Sequence, residues 1–498
     1  MAEPFVLAID QGTTGTTALA VGRSGEVLAR GYAPVDQFYP QPGWVEHDPL
    51  QLWRTVLDAS GKALAALGGG ARPVAIGLTN QRETTVVWDR RSGQPVGPAI
   101  VWQCRRTAQR CDELRHAGMS GLFQERTGLV LDAYFSGTKL EWLLEHVPGL
   151  ATRAEAGEVA FGTVDSWMLW NLTGGRVHAT DVSNASRTLL LDVDAGAWAP
   201  DLLSTLHVPE AILPRVVPSC GVVAETAGSG PIAAGVPIAG IAGDQQAALF
   251  GQACFSAGDA KTTYGTGCFL LLTTGPQRAL SQNRLLSTVA WRLGAAAPLE
   301  YALEGSVFTG GSVVQWLRDE LGLIASASET AALAGSVADN GGVSFVPAFT
   351  GLGAPYWDQH ARGTITGLTR GTTRAHLVRA ALEGVAQQVA DVVEAMAADS
   401  GAGLAQMNVD GGAAANDFLM QFQADVLGCP VERPAQLETT GLGAAYLAGL
   451  ATGFWPDVDS VAGARSVERR FEPLMGEAAR LELRAAWRAA VERARTGH

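Results

Sequence analysis

Short apolar runs separated by Gly-rich turns open the chain and predict a three-stranded meander. Phe5–Ile9 leads through Asp10-Gln11-Gly12-Thr13-Thr14 into Thr17–Val21, and a Gly22–Gly25 turn leads into Glu26–Tyr32. An amphipathic stretch over Pro49–Leu67 predicts a helix stopped by Gly68–Gly70. Val74–Leu78 and Thr84–Trp88 predict further strands, joined by Asn80-Gln81-Arg82-Glu83. Strands then continue to alternate with helices, the pattern of an α/β layered architecture.

Near residue 250 the pattern restarts. Lys261–Tyr264, the turn Gly265-Thr266-Gly267 and Phe269–Leu272 repeat the strand, Gly-Thr turn, strand arrangement of the N-terminus. Helices are predicted over Gly311–Leu321, Arg374–Ala398, Asp417–Leu427 and Gly441–Ala451. Two halves of similar size, each opening on a Gly-Thr hairpin, imply a duplicated fold around a central cleft.

Composition narrows the class. The 498 residues hold 49 Asp+Glu against 36 Lys+Arg, a net charge of -13, and 47% are hydrophobic. That supplies a large core and excludes general disorder, while the acidic balance argues against a nucleic-acid partner. The six cysteines are scattered without paired spacing, which reads as a reduced, cytoplasmic protein. No secretory signal is read at the N-terminus, and the longest apolar tract, Pro231–Gly243, is broken by Pro and Gly, so no membrane insertion is expected. No GxxxxGK[ST] loop, HRD-type catalytic loop or GxGxxG after a strand occurs.

Several segments carry candidate chemistry. Asp10–Thr14 sits at a strand end, where open backbone amides and hydroxyls can hold phosphate oxygens and Asp10 can hold Mg²⁺ directly or through water. Taken alone, this segment reads better as an ordinary hairpin with Asp10 capping the turn. Asp244 follows the buried run Pro237–Ala242, a position suited to a general base or a metal-orienting carboxylate, and equally to a helix N-cap. Gly411-Gly412 would permit close approach of a flat ligand. Arg82-Glu83 offers a cation and a carboxylate side by side, able to bind vicinal hydroxyls, although surface pairs of this kind are common and mostly inert. Trp102 and Tyr134 could wall a small pocket or simply fill core.

The combination of segments resembles the glycerol-phosphorylating branch of the FGGY carbohydrate kinase family, within the actin/hexokinase/Hsp70-like ATPases. The resemblance runs from Phe5 to Trp455 and rests on DQGTTGT at 10–16, PGWVEHDP at 42–49, TNQRETT at 79–85, AIVWQCRRT at 99–107 and YFSGTK at 134–139. GIAGDQQAALFGQ at 240–252, TYGTGCF at 263–269 and VPAFTGLGAPYWD at 346–358 extend it. YFSGTKLEWLLEH and GTITGLTRGTTRAHLVRAALE fit the family's two signature patterns.

The resemblance implies two actin-like (ribonuclease H-like) α/β domains, over 1–252 and 253–498, with nucleotide and substrate in the cleft between them. It implies phosphorylation of glycerol by ATP with Mg²⁺, in a cytoplasmic homo-oligomer, dimer or tetramer. Arg82, Glu83, Tyr134, Asp244 and Gln245 would contact glycerol, with Trp102 and Phe269 against its carbons. Thr13, Thr14, Gly15, Thr17, Thr266 and Gly311 would surround the nucleotide phosphates, and Gln315, Gly412 and Asn416 would border the adenosine. Asp10 and Asp244 correspond to the Mg²⁺-associated carboxylates and Asp244 to the catalytic base. One departure stands out: many members read Ser-Ser-Arg or Ser-Thr-Arg where this chain has Gly15-Thr16-Thr17, so a guanidinium near the phosphates is missing. Two other readings are a kinase of this family acting on a pentulose or tetritol, and a non-metabolic actin-like ATPase.

Overall fold

The computed structural model describes residues 3–68, 70–358, 360–401 and 403–495; Gly69, within the expected helix stop, and the outermost residues of both expected domains lie outside the described set. Two large mixed sheets organise the chain. The first contains β1 (Val6–Gln11), β2 (Gly15–Val21), β3 (Val27–Pro34), β4 (Ala75–Asn80), β5 (Cys220–Glu225) and β6 (Pro237–Gly243), in the order β5-β6-β4-β1-β2-β3. The second contains β7 (Ala260–Tyr264), β8 (Cys268–Gly275), β9 (Leu286–Trp291), β10 (Glu300–Val307), β11 (Met407–Asp410), β12 (Val431–Pro434) and β13 (Val467–Phe471), in the order β9-β10-β8-β7-β11-β12-β13.

The duplication is explicit in the pairing. In the first sheet β1 and β2 form an antiparallel hairpin extended by β3, and β4 and β6 continue parallel to β1. In the second, β7, β8 and β10 form the same meander, and β11 and β12 continue it parallel to β7. A hairpin joins neighbours directly, whereas each parallel pair needs a crossover. The crossovers are where the long insertions sit. Residues 81–219 lie between β4 and β5, and residues 308–406 between β10 and β11. The expected strand at Thr84–Trp88 belongs to the first insertion: Val86–Asp89 pairs with Val159–Gly162 in a separate two-stranded sheet.

Helix α1 (Pro49–Ala66) covers one face of the first sheet. Asp48 caps it by accepting from the Leu50 N–H at 2.9 Å, and Pro49 occupies the first turn, where its missing N–H costs nothing. Because β1 alternates side chains between its faces, Leu7 and Ile9 join the core under α1 while Val6 and Ala8 face the opposite side. That opposite side is covered by α2 (Asp244–Gly251) and by a helix from far along the chain, Thr439–Ala451, both packed in one core with Leu271 and Ala302 of the second sheet. The long helix Arg374–Ser400 and Asp417–Leu427 cover the outer face of the second sheet.

The two central helices cross at glycine. A Cβ on Gly443 would lie 2.6 Å from the Ala247 carbonyl carbon and closer still to its oxygen, and one on Gly251 would overlap the Thr439 carbonyl. Below Gly443, Gly77 of β4 faces the Ala444 carbonyl at similarly close range. Asp410 pins the crossing, accepting from Thr439 Oγ1 at 2.6 Å and from Gln252 Nε2 at 3.0 Å. No helix among the described residues is long and apolar enough to cross a membrane.

Candidate functional site

The candidate residues of the first half gather where β1, β4 and β6 end. After Asn80 the chain turns sharply, Glu83 adopting φ +61, a left-handed conformation costly for a residue with a Cβ. The turn is fixed from the insertion. Asn80 and Asn184 exchange reciprocal amide hydrogen bonds of 3.0 and 3.2 Å, and Ser136 Oγ donates to the Glu83 carbonyl at 3.0 Å.

Arg82 and Glu83 do not form an exposed surface pair, as their sequence alone allowed. Both are buried, their mutual approach is 3.7 Å, and each is engaged elsewhere. Arg82 donates from Nη1 and Nη2 to the two oxygens of Glu304, at 2.6 and 3.0 Å, and more weakly to Gln246 Oε1 and Tyr134 Oη. Glu83 accepts from Arg187 Nε at 2.7 Å, and Arg187 Nη2 closes the ring onto Glu304 Oε1 at 3.0 Å. Two guanidiniums and two carboxylates thus balance in a dry environment. Burial alone would raise Glu304, yet Arg187 and Arg82 overcome it and hold its carboxyl at about 2. Removing one partner from such a ring typically costs about 3–5 kcal/mol, since it strands a buried charge.

Asp244 begins α2 and touches this ring at its edge. Its Oδ1 lies 3.1 Å from Arg82 Nε, and burial raises its carboxyl while Arg82 opposes the rise. The residue is the first of the helix rather than its cap, which is Gly243. The start of α2 is anchored through Gly243, whose N–H donates to Ser183 Oγ at 2.9 Å; that hydroxyl in turn donates to Asp181 at 3.0 Å. Gln245, next in the helix, accepts from the buried ammonium of Lys261 on β7, which also reaches Thr263 Oγ1 at 2.8 Å. Burial lowers that ammonium's pKa, against Asp410 and Asp244.

Asp10, half-buried at the end of β1, is pushed up to about 8 by burial and by the neighbouring carboxylates of Asp244 and Glu438. Arg82 balances Asp244 at 3.1 Å and Arg30 balances Glu438 at 3.0 Å, so these two neighbours add to the effect of burial on Asp10 without forming a bare triad. Among the described residues no group of three or more His, Cys, Asp or Glu forms a metal cage. Asp10 with Asp244 beside it supplies the one or two carboxylates that Mg²⁺ takes when phosphates and water complete its shell.

The two Gly-Thr hairpins flank this site. In the first, Gly12 N donates to the Gly15 carbonyl at 2.9 Å, leaving Thr13 and Thr14 at the tip. Gly15 is required there because a Cβ would overlap the ring of Tyr32, whose hydroxyl donates to the Thr14 carbonyl at 3.2 Å. Thr17, nearly buried, pairs in register with Asp10 on one side and Tyr32 on the other. Trp102 Nε1 donates to Thr13 Oγ1 at 2.9 Å and its ring meets Tyr134 edge-on at 5.5 Å, so one aromatic wall joins the hairpin to the Arg82 cluster.

The second hairpin closes through Gly265 N to the Gly267 carbonyl at 2.9 Å, and the turn before the helix Ser312–Asp319 docks on it. Gly311 N donates to the Gly265 carbonyl at 2.8 Å, and Gly310 N and Ser312 Oγ donate to the Thr266 carbonyl at 2.7 and 2.9 Å. Gly311 also comes within 3.8 Å of the Ala413 side chain (measured from an added Cβ), bringing the Gly412 loop alongside. Gly411 takes φ +85 because a side chain would overlap the backbone of Tyr264, so its freedom serves protein packing rather than a ligand; Gly412 faces open space. Asn416 caps the helix Asp417–Leu427 and donates to Thr330 Oγ1 at 2.9 Å. Gln315 is exposed on its helix. Phe269 lies on β8, half-buried and in register with Thr263 and Ser306.

Sequence reasoning missed Glu304, Arg187, Gln246 and Lys261. The available signal was polarity inside apolar elements: Glu304 interrupts the strand Tyr301-Ala302-Leu303, and Lys261 opens a buried strand.

The profile of the N-terminal domain of the FGGY family of carbohydrate kinases matches residues 5–251, and that of its C-terminal domain matches residues 260–452. The chain is 59% identical over 492 residues to a glycerol kinase of Dechloromonas aromatica, covering 99% of this chain and 97% of the relative. It is 55% identical over 490 residues to glycerol kinase 2 of Thermotoga maritima, covering 98% of each. Among solved structures, the glycerol kinase of Plasmodium falciparum with ADP superposes with a TM-score of 0.95 at 35% identity, over 100% of this chain and 99% of that one. A xylulose kinase of Lactobacillus acidophilus shares the fold, with a TM-score of 0.88 at 20% identity and coverage of 98% and 97%.

Proposed function

The chain belongs to the FGGY family of carbohydrate kinases, and we propose that it transfers the γ-phosphoryl group of ATP to glycerol, giving ADP and sn-glycerol 3-phosphate. The observation that carries this reading is the meeting of Arg82, Glu83, Tyr134 and Asp244 in one buried cluster, bridged by Trp102 to a Gly-Thr hairpin. A small polyol needs donors and acceptors together with an apolar wall. Arg82, Tyr134 and Gln245 would orient its hydroxyls with Glu83 and Asp244, and Trp102 and Phe269 would face its carbons.

Asp244 takes the proton of the terminal hydroxyl as that oxygen attacks the γ-phosphorus, while the phosphoryl group leaves the β-phosphate oxygen. Burial raises its carboxyl, which makes it a better proton acceptor than an exposed aspartate, and Arg82 opposes the rise. Thr13, Thr14, Gly15 and Thr17 of the first hairpin, with Thr266 and Gly311 of the second half, surround the phosphates; Gln315, Gly412 and Asn416 border the adenosine. Asp10 and Asp244 would hold Mg²⁺, which supplies charge neutralisation at the phosphates. We divide the chain into working halves at 1–252 and 253–498, and place it in the cytoplasm as a homo-oligomer with no nucleic-acid partner, in keeping with a net charge of -13.

The test is a coupled ADP-release assay across glycerol, dihydroxyacetone, erythritol and xylulose, with the Asp244→Asn variant in parallel. Glycerol is expected to give the highest kcat/KM. Loss of a general base lowers rate by about 10²–10⁴-fold, so the variant should lose kcat while still binding glycerol. ADP release independent of any polyol, or a variant with near-normal kcat, would sink the reading.

A further inference from the structure

Arg82 is held by a residue from the other half of the molecule. Its four terminal N–H groups face Glu304, Gln246 and Tyr134, and the only bidentate partner is Glu304 on β10, a strand of the second sheet. Glu304 is fully buried and accepts hydrogen bonds from both Arg82 and Arg187 of the first half. The remaining group, Arg82 Nε, has no aligned hydrogen-bond partner, although Asp244 lies at 3.1 Å and Glu83 at 3.7 Å. The guanidinium therefore has two further carboxylates within reach on its Nε side. Without Glu304 it is free to turn its fork onto Asp244, because a planar bidentate pair is the geometry Arg favours with a carboxylate.

We propose that Glu304 is a positioning residue: it clamps the fork of Arg82 from across the interdomain contact, so that only the Nε edge is turned toward Asp244 and the polyol and the fork itself does not close on the Asp244 carboxylate. The proposal rests on the glycerol-kinase reading, in which Arg82 contacts the substrate. It goes beyond that reading by making polyol affinity depend on a side chain of the half that holds the adenosine loop. The polyol arm is then set only when β10 and the β4 turn are in contact. A polyol hydroxyl could not recruit Arg82 from an unclamped state without first taking it from Asp244.

Glu304→Gln keeps the shape and one acceptor but removes the charge. The expected result is a rise of at least tenfold in KM for glycerol, with KM for ATP changed less than twofold and kcat lowered less than the glycerol KM is raised. Protection of the thermal midpoint by saturating glycerol should shrink in the same variant. Glu304→Asp, which keeps the charge on a shorter arm, should recover part of the glycerol affinity. A folded Glu304→Gln variant with unchanged glycerol KM overturns the proposal. So does an equal rise in both KM values, which marks general loosening rather than positioning. If Glu304→Gln does not fold, Glu304→Asp decides by the same ratio of the two KM values. Wild-type protein without glycerol-dependent turnover removes the underlying reading and the proposal together, an outcome seen before any variant is compared.

Discussion

The crossing of α2 with the helix Thr439–Ala451 is the place where a single methyl group should be felt furthest. Replacing Gly443 by Ala puts a Cβ 2.6 Å from the Ala247 carbonyl carbon and closer to its oxygen. Both obstacles are backbone, so no side chain can swing aside. Reaching ordinary van der Waals contact with the Ala247 oxygen requires the helices to part by well over ~1 Å, and overpacking of this kind typically costs about 1–3 kcal/mol. Helix propensity works the other way, favouring Ala over Gly by about 1 kcal/mol in a helix interior. The clash should win, because it is rigid and central, for a net loss of up to about 2 kcal/mol. The catalytic effect should be larger than the stability effect. Ala247 lies in the same helix as Asp244, one turn on, and a displacement of about 1 Å in a reacting group can cost about 10²-fold in rate. Thermal unfolding and steady-state kinetics of Gly443→Ala would measure both. Gly463→Ala is the control, since nothing lies within 4 Å of a Cβ there and its helix is exposed; it should leave stability equal or slightly higher. A Gly443→Ala protein with unchanged midpoint and kcat would refute the argument that this crossing sets the position of α2.

Two further outcomes follow from other parts of the molecule. Burial lowers His178 from 6.5 to about 4, outweighing its Phe161 carbonyl bond, and Arg90 adds to the drop. The unfolded chain therefore binds a proton that the folded chain refuses, so stability present above about 6.5 is lost as pH falls toward about 4. Urea titrations at several pH values should show a shallower loss in His178→Gln, and identical slopes would remove His178 as a cause. Thr17→Arg is expected to lower kcat or raise KM for ATP rather than restore a missing function. Thr17 is nearly buried opposite Tyr32, and Arg30, two residues from Tyr32 on the same face, already pairs with Glu438 at 3.0 Å. Higher activity in that variant would show that the hairpin has room for a second guanidinium.

Much of the architecture was legible because it is local. The two hairpins announce themselves by apolar runs around Gly-Thr turns, and α1 by its period and by Asp48-Pro49 at its start. The repeat of these signals after residue 250 sufficed for the duplication. What was not legible depends on contacts far apart in sequence. Arg82 and Glu304 are 222 residues apart, and nothing in the Asn-Gln-Arg-Glu segment distinguishes a buried ring from an inert surface pair. The helix Thr439–Ala451 could be read from its composition, but its packing against the first sheet could not, since Gly443, Gly77 and Gly251 acquire meaning only when their backbones meet. The two glycines at 411 and 412 look alike in sequence, yet one is dictated by Tyr264 and the other faces open space.

The charges of the site divide into two populations, and on the proposed reading the division would let one aspartate serve both substrates. Arg82, Arg187, Glu83 and Glu304 cancel within a dry ring, so the polyol side presents directed hydrogen-bonding groups with little net field. Such a surface suits an uncharged triol, which gains nothing from a net charge and much from fixed donors and acceptors. On the other side burial, with Asp244 and then Glu438 adding to it, pushes Asp10 up to about 8. A bare nucleotide polyphosphate would be driven from that side, whereas the same nucleotide carrying a divalent cation would relieve it. Asp244 belongs to both populations, held by Arg82 at 3.1 Å on the polyol side and facing Asp10 on the other. The cation-bearing nucleotide would draw the negative field off Asp244, where Arg82 already opposes the rise that burial causes. On the proposed reading, Asp244 would stand beside the polyol as base, and a cation held by Asp10 and Asp244 would supply the charge neutralisation that the approaching phosphates need.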